Sequence, residues 1–266
     1  MIDKDNKIKE LEEKVKELEM KLYQLTNPVQ EAYLPDIHVL QDIIDLNESL
    51  SGQNPLDIGI QEWSNGRLKV LELKGSQLVS IPESIGNLSY LDELDLENNE
   101  LTSIPDSIGN LKNITELYLG YNQLTKLPES IGDLSNLVKF YVDNNYIIDI
   151  PNSIGNLSEL WYLYLSYNQL TTLPESIGNL SNLEYLILCS NRLITLPESI
   201  GNLINLKALE LDGNQLTNIP SSVGNLKNLY VLSLYFNQLN SLPASVCENP
   251  IEWKILENQD ICEVEK

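Results

Sequence analysis

Proline returns at a fixed interval of 23 residues through most of this chain, at Pro82, Pro105, Pro128, Pro151, Pro174, Pro197, Pro220 and Pro243. The surrounding letters recur with it, and the string LPESIGNL that begins at Leu173 is repeated unchanged from Leu196. A fixed period of this length predicts a stack of similar structural units, because one such unit cannot bury a hydrophobic face alone. The interval therefore constrains the fold more than any other feature of the sequence.

Alignment on this interval gives one template, L-x-x-L-x-L-x-x-N-x-L-x-x-L-P-x-S-I-G-N-L-x-x. Eight copies run from about Leu68 to about Val246. The alternation L-x-L predicts one short strand per copy, so that neighbouring strands stack about 4.8 Å apart in a parallel sheet. The ninth position is Ser76 in the first copy and asparagine in the others, at Asn99, Asn122, Asn145, Asn168, Asn191, Asn214 and Asn237.

Each fixed letter has a predicted structural role. The leucines and isoleucines point inward and form the core, and each buried asparagine amide pairs with backbone groups of neighbouring turns. Proline fixes φ where the chain leaves the strand edge, and glycine allows the tight return on the convex side. The string LPESIGNL is therefore predicted to be scaffold. A phosphate-binding loop would need several glycines and usually a lysine.

The pattern LxxLxLxxN, whose last six positions are for example Leu163-Tyr-Leu-Ser-Tyr-Asn168 and its relatives, resembles the leucine-rich repeat family over about two thirds of the chain. The repeat length and the LPxSIGNL wording resemble the intracellular class of that family. The resemblance implies an α/β fold, namely a curved solenoid with a parallel concave sheet, here with N-terminal helices. It also implies binding of ligands on the concave face.

The segments outside the repeats predict four parts. Residues 1–27 form a short coiled-coil-like helix, 28–66 an N-terminal cap of a helix and a hairpin strand, 67–246 the eight repeats and 247–266 a C-terminal cap. Asn65-Gly66 is a hairpin signal that would pair a cap strand with the first repeat, and Trp63 would cover the open core. Apolar residues within 251–256 would close the other end.

The first 27 residues contain a heptad pattern. Apolar residues follow one another at spacings of three and four, at Ile8, Leu11, Val15, Leu18, Leu22 and Leu25. This seam predicts weak homodimerisation through residues 7–25. Because fewer than three heptads are marginal for a free coiled coil, the helix would alternatively fold back or bind a different protein.

Charge restricts the partner. The chain has 17 basic and 39 acidic side chains and a formal net charge of -22. This charge disfavours nucleic acid and anionic membrane surfaces, since both require basic residues, and it favours a basic protein surface. The N-terminus is charged where a secretory signal would be apolar, and no run of about 18 apolar residues occurs, so a cytoplasmic protein is predicted.

Cysteine usage agrees with a reducing compartment. Cys189, Cys247 and Cys262 are an odd number without a CxxC spacing, and free thiols are expected. The alternative is a bridge between Cys247 and Cys262 that closes the C-terminal cap, and this bridge would imply export.

Residues that vary between copies are the candidate site, because positions 2, 3, 5, 7 and 8 project onto the concave face or its rim. Aromatic and acidic side chains are concentrated there. The predicted ligand-binding residues are Tyr118, Tyr121, Tyr141, Trp161, Tyr162, Tyr164, Tyr167, Tyr185 and Ile187, together with Glu93, Asp95 and Glu116.

Tyrosine and tryptophan grouped on a rigid surface are typical anchors of protein interfaces. Acidic residues border the aromatic cluster on both sides, at Asp92, Glu93, Asp95, Glu97, Glu116, Glu210 and Asp212. The predicted ligand is therefore a protein or peptide with an apolar centre and a basic rim. The alternative interpretation is that the tyrosines only stabilise the sheet surface through cross-strand pairs.

Other functions fit the sequence less well. Asp95 and Glu116 would be the carboxylates of a glycoside hydrolase, but an open sheet lacks a deep pocket, so no catalytic residue is predicted. The acidic cluster lacks the spacing of a calcium loop, and neither metal nor cofactor is expected. Regulation of a small GTPase or a signalling complex is an alternative that depends on the family resemblance alone.

Overall fold

The computed structural model describes residues 14, 15 and 18, residues 33–247 and residues 254–256. Within these residues, ten strands form one sheet whose spatial order equals the chain order. The first pair is antiparallel and every later pair is parallel. The strands are β1 Ile60–Ser64, β2 Arg67–Glu72, β3 Glu93–Asp95, β4 Glu116–Tyr118, β5 Lys139–Tyr141, β6 Tyr162–Tyr164, β7 Tyr185–Ile187, β8 Ala208–Glu210, β9 Val231–Ser233 and β10 Lys254–Leu256.

Helical turns lie opposite the sheet. Helix α1 spans Leu34–Leu46 and helix α2 spans Ala244–Cys247. Short 3₁₀ helices occupy Glu48–Leu50, Pro55–Asp57, Glu83–Asn87, Asp106–Asn110, Glu129–Asp133, Asn152–Asn156, Glu175–Asn179, Glu198–Asn202 and Ser221–Asn225. The alternation of strand and 3₁₀ turn, repeated without a change of direction, confirms the predicted curved solenoid with a parallel concave sheet.

The repeated proline lies on the convex side rather than at the strand edge. Pro128, for example, precedes the turn Glu129–Asp133 with φ -70° and ψ 150°, and its carbonyl accepts the N–H of Ile131. The fixed φ of proline therefore sets the entry into each 3₁₀ turn. The predicted position at the strand edge was wrong because the chain runs through an extended segment before this turn.

The template leucines fill the core as predicted. The central apolar residue of each repeat strand and the leucine after each repeat 3₁₀ turn have no exposed surface, and Phe140 is one of these strand residues. The apolar residues before the repeated prolines are at most 8% exposed. At about 25 cal/mol per Å² of apolar surface, such continuous burial is the main favourable contribution to folding.

One buried asparagine amide joins each pair of neighbouring repeats. The Oδ1 atom of Asn145 accepts the N–H of Leu124 at 2.9 Å, and its Nδ2 atom donates to the carbonyls of Leu119 at 3.0 Å and Val142 at 3.2 Å. The pattern recurs at the other template asparagines from Asn99 to Asn237. These residues form the ladder predicted from the sequence.

The repeated glycine is required by close packing and not by an unusual backbone conformation. A Cβ atom on Gly132 would lie 2.3 Å from the carbonyl oxygen of Ser153 in the next repeat. Its φ is not among the positive values, in contrast to that of Gly66 in the cap. The predicted role in a tight return is therefore replaced by a contact between successive 3₁₀ turns, which approach too closely for any side chain.

A second set of asparagines connects the turns near the surface. The side chain of Asn136 is exposed and donates to the carbonyl of Lys112 at 2.7 Å. The same bond recurs between successive repeats at Asn113, Asn182, Asn205 and Asn228.

The N-terminal cap is attached through a buried carboxylate. Asp36 of α1 is fully buried and accepts hydrogen bonds from Arg67 Nε at 2.9 Å and from the Leu68 N–H at 3.0 Å. The Arg67 guanidinium lies between the rings of Tyr33 and Tyr90, at 4.3 Å and 4.2 Å from their centroids. This arrangement raises the pKa of Arg67, chiefly through its hydrogen bond to Asp36.

The predicted cap hairpin is present. β1 pairs antiparallel with β2, and Asn65 and Gly66 both have positive φ, as a tight hairpin turn requires. Trp63 is partly buried against the end of the core. Of the heptad residues, Val15 and Leu18 are described, and both are helical and exposed. The remaining heptad residues and most of the predicted C-terminal cap lie outside the described residues.

The cysteines differ from the expectation of three free thiols. Cys247 is disulfide-bonded, to a partner outside the described residues, and Cys189 keeps a free thiol. Burial raises the pKa of the Cys189 thiol to about 11, so that this group stays protonated and unreactive near neutral pH.

Replacement of Asn145 by alanine tests the contribution of the buried asparagine hydrogen bonds. We expect the free energy of unfolding to fall by about 3 kcal/mol, because buried N–H and C=O groups of two repeats lose their partners. Asn136→Ala is the matched control: its single exposed hydrogen bond predicts a loss of about 0.5–1 kcal/mol. Urea denaturation measures both, and equal losses would contradict the assigned role of the buried amide.

Candidate functional site

Tyrosines of three adjacent strands form a stack on the exposed face of the sheet. Tyr118 lies opposite Tyr141, and Tyr141 lies opposite Tyr164. The ring centroids are 5.0 Å and 4.4 Å apart, with interplanar angles of 20° and 21°. The parallel register produces this stack, because equivalent side chains of successive repeats lie at the strand spacing.

A second stack runs beside the first. The rings of Tyr162 and Tyr185 are 5.0 Å apart and inclined by 6°. The Tyr185 hydroxyl lies 3.2 Å from the hydroxyl of Tyr230, and this hydrogen bond, with burial, raises the pKa of Tyr185 to about 12. We call the five strand tyrosines, Tyr118, Tyr141, Tyr162, Tyr164 and Tyr185, the tyrosine ladder.

The other predicted aromatic residues lie at the margins of the ladder. Rings of the ladder are half-buried against one another, as is Ile187, whereas Tyr121, Trp161 and Tyr167 are 53%, 44% and 59% exposed. Trp161 directly precedes β6, and Tyr167 follows it by three residues. The structure therefore brings the predicted aromatic residues together. The stacked rings of the tyrosine ladder lie in the centre, and the exposed rings lie at both edges.

Acidic side chains border the ladder on β3 and β4. Burial raises the pKa of Glu93, and the nearby carboxylates of Glu116, Glu72 and Asp95 raise it further. Burial also raises the pKa of Asp95, which accepts a hydrogen bond from the backbone N–H of Glu97. Like charges are thus held close together on a partly dehydrated surface.

Lys139 is paired with a carboxylate of this acidic border. Its Nζ atom lies 2.8 Å from Glu116 Oε1, and the Tyr118 hydroxyl donates to the same carboxylate. Although burial acts in the opposite direction, these two donors lower the pKa of Glu116. The site therefore has a paired carboxylate at Glu116 and, among the described residues, no salt bridge at Glu93 or Asp95.

Some features of this surface were not predicted from the sequence. The template identified the tyrosine columns, but stacking depends on side-chain rotation and on the curvature of the sheet. Three exposed apolar residues beyond the predicted site, Tyr146, Ile148 and Ile194, which are 52%, 49% and 52% exposed, were also missed because they follow the strand region of their repeats. They occupy template positions 10 and 12, and this spacing is the sequence signal for them.

Comparison with known families agrees with the architecture. The leucine-rich repeat region family matches residues 63–144, and the leucine rich repeat family matches residues 159–180, 182–203 and 205–226. Together these matches cover more than half of the chain. It is a leucine-rich repeat protein. No curated protein sequence matches it significantly.

Solved structures with this fold include bacterial and plant proteins. A leucine-rich repeat protein of Leptospira interrogans is 37% identical, with a TM-score of 0.64, over 71% of this chain and 54% of that one. The plant peptide hormone receptor RGFR1, in complex with RGF2, is 33% identical, with a TM-score of 0.63, over 71% and 33%.

The ectodomain of the Arabidopsis thaliana receptor kinase GASSHO1/SCHENGEN3, in complex with CASPARIAN STRIP INTEGRITY FACTOR 2, is 28% identical, with a TM-score of 0.71, over 84% and 29%. The leucine-rich repeat chain thus spans about half or less of the length of these relatives. Among its described helices, none has the length and apolar character needed to cross a bilayer.

Glu93→Gln tests the destabilisation caused by partial burial of the Glu93 carboxylate and by its repulsion from neighbouring carboxylates. Because the folded state raises the pKa of Glu93, its ionised form reduces stability above that pKa, and the loss disappears as pH falls below it. We expect the glutamine variant to have a higher thermal midpoint than the wild type at about pH 7 and an equal one at about pH 4. The control is Glu100→Gln, an exposed residue outside the site; an equal gain there would exclude a local cause.

Proposed function

We propose that this leucine-rich repeat protein is a non-catalytic interaction scaffold that binds a protein or peptide on its concave face. The tyrosine ladder carries the proposal. Its rings are already ordered by stacking in the unbound chain, so ligand binding would freeze few side-chain rotations. Tyrosine also combines a large apolar surface with a hydroxyl that can hydrogen-bond, as interface anchors commonly do.

The acidic border indicates a ligand with basic side chains. Three lysines near the border are already paired, Lys69 with Asp92 at 2.9 Å, Lys74 with Glu97 at 2.9 Å and Lys139 with Glu116 at 2.8 Å. A lysine or arginine of a ligand placed beside Glu93 and Asp95 would relieve their mutual repulsion. This supports a ligand with an apolar centre and a basic rim.

The relatives support the same class of function. Two of the matched plant proteins are receptors whose structures contain a bound ligand, RGF2 in one and CASPARIAN STRIP INTEGRITY FACTOR 2 in the other. We extend only the class of function to this chain, namely recognition of a polypeptide. The more specific assignment to the 23-residue intracellular class stays a prediction.

A hydrolase is a weaker interpretation of the same residues. The pKa values of Asp95 and Glu116 are shifted in opposite directions, as in an acid and base pair. Glu116, however, already accepts hydrogen bonds from Lys139 and Tyr118. These bonds hold its carboxylate on the sheet surface, and they would have to break before the carboxylate could activate a water molecule. We therefore propose no catalytic residue.

The compartment has two opposing indications. The cytoplasmic location stays a prediction from the sequence, whereas the disulfide of Cys247 is typical of an oxidising compartment. Alkylation of thiols in intact native cells before lysis decides between them. Labelled Cys247 would agree with the cytoplasm, and a protected Cys247 would contradict it.

Homodimerisation through residues 7–25 stays a prediction from the heptads. Sedimentation of the full chain is compared with that of a chain beginning at Tyr33. We expect a concentration-dependent dimer for the full chain alone at tens of micromolar, and two monomers would refute the prediction.

Peptide selection tests the proposed site. A random peptide library displayed on phage is selected on the full chain, and the recovered sequences are synthesised. We expect aromatic or aliphatic residues between lysines and arginines. Tyr141→Ala/Tyr162→Ala/Tyr164→Ala should weaken their binding at least about tenfold, because it removes the centre of the ladder. Tyr146→Ala is the control for loss of an exposed tyrosine elsewhere, and circular dichroism verifies folding; equal affinities for all variants would reject the site.

Salt dependence tests the acidic border separately. Raising the salt from about 0.05 M to about 0.5 M should weaken the selected peptides, because screening reduces attraction between exposed charges. Titration calorimetry measures the change. Glu93→Gln should show both weaker binding and a smaller salt effect, and an unchanged salt response would remove Glu93 from the site.

A further inference from the structure

The residue directly before the ninth template position, which is Ser76 in the first repeat and asparagine in the others, has a left-handed backbone in every repeat. Its φ is between 53° and 67° at all eight positions, which are Gly75, Asn98, Tyr121, Asn144, Tyr167, Ser190, Gly213 and Phe236. Gly75 and Gly213 have no Cβ atom that would clash, and asparagine tolerates this region better than most residues do. Half of the positions therefore have a residue suited to this conformation.

Three of the remaining positions have large aromatic residues, for which positive φ is a genuine outlier. Tyr121 has a φ of 53°, Tyr167 of 54° and Phe236 of 57°. Glycine or asparagine in the same position of other repeats has the same backbone conformation. The strain therefore comes from the aromatic side chain at this position and not from the repeat around it.

Folding does not explain Tyr121 and Tyr167. Their rings are 53% and 59% exposed, so the core gains little from them. Their backbone N–H groups donate to the carbonyls of Asp143 at 3.0 Å and Cys189 at 2.8 Å, bonds that asparagine would make equally well. A strained residue that contributes little to folding is a candidate for a role in function.

Their location agrees with such a role. Tyr121 follows β4 and Tyr167 follows β6, the strands that contain Tyr118 and Tyr164 of the tyrosine ladder. Both exposed rings therefore stand at the same edge of the ladder, two repeats apart. Asp143 occupies the position before Asn144 in the intervening repeat, so a carboxylate lies on this edge between them.

We propose that Tyr121 and Tyr167 are ligand anchors, retained in a strained conformation because their rings contact the polypeptide bound to the tyrosine ladder. The inference rests on the proposed function and extends it to the edge of the sheet. The occupant is a polypeptide segment with an aromatic or aliphatic centre and lysine or arginine beside it. Charge complementarity with Asp143 and with Glu93 and Asp95, which form no salt bridge among the described residues, supports this occupant.

The double variant Tyr121→Asn/Tyr167→Asn tests both parts of the inference. It uses the residue that the chain itself has in this position of two other repeats. We expect its thermal midpoint to rise by about 2–4 °C for each tyrosine replaced, since the strain is relieved. Its affinity for the peptides selected on the wild-type full chain should fall at least about tenfold.

Phe236→Asn is the matched control. It removes an aromatic residue from the same strained position in the last repeat, away from the ladder. We expect a similar rise in thermal midpoint without a change in peptide affinity. Tyr121→Phe/Tyr167→Phe keeps the rings and the strain, so it should retain most of the affinity and show no gain in stability.

The outcomes separate this inference from the proposed function. An unchanged or lower thermal midpoint of Tyr121→Asn/Tyr167→Asn would contradict the proposed backbone strain. An unchanged peptide affinity of the same variant would contradict the proposed role of the two tyrosines as anchors. In both cases Tyr141→Ala/Tyr162→Ala/Tyr164→Ala would still lose binding if the proposed function is correct. Recovery of no peptide, or equal binding by the triple variant, would overturn the proposed function and this inference together.

Discussion

A buried asparagine amide in each repeat is the interaction on which the remaining structure depends. Its oxygen and nitrogen satisfy backbone groups of its own repeat and of the preceding one, at the bend that follows each strand. An unsatisfied group in that position would destabilise the fold by about 1–3 kcal/mol. Because the amides join successive repeats, they also align the strands, and the alignment stacks the tyrosines.

Fixed template positions form the core, and variable positions form the proposed binding surface, so the surface can change while the core stays the same. Core leucines, ladder asparagines and the glycines between 3₁₀ turns are the same in nearly every copy. The variable strand residues face outward and can be chosen for recognition. Two residues illustrate that these positions are not chosen for stability. Glu93 lies close to other carboxylates, and Tyr121 has a strained backbone. Neither feature favours folding, and the regular core tolerates both.

Much of this arrangement was predictable from the sequence. A strict period fixes the parallel sheet, and counting from the template leucines identifies the columns that contain Tyr141 and Tyr162. Three properties were not predicted. The glycine was attributed to backbone freedom, whereas the contact with Ser153 in the next repeat explains it. Pairing of Lys139 with Glu116 likewise depends on the distance between two repeats. The left-handed backbone of Tyr167 could not be predicted because a bulky residue rarely adopts it.

The exposed asparagines on the convex turns follow the same rule as the buried ones, since each bonds to the repeat beside it and to none further away. Contacts limited to adjacent copies make the solenoid modular. Gain or loss of one complete copy would leave every such bond intact and would only change the number of acidic, aromatic or apolar rows on the inner surface. Recognition of longer or shorter ligands is therefore accessible by duplication or deletion, without redesign of the core.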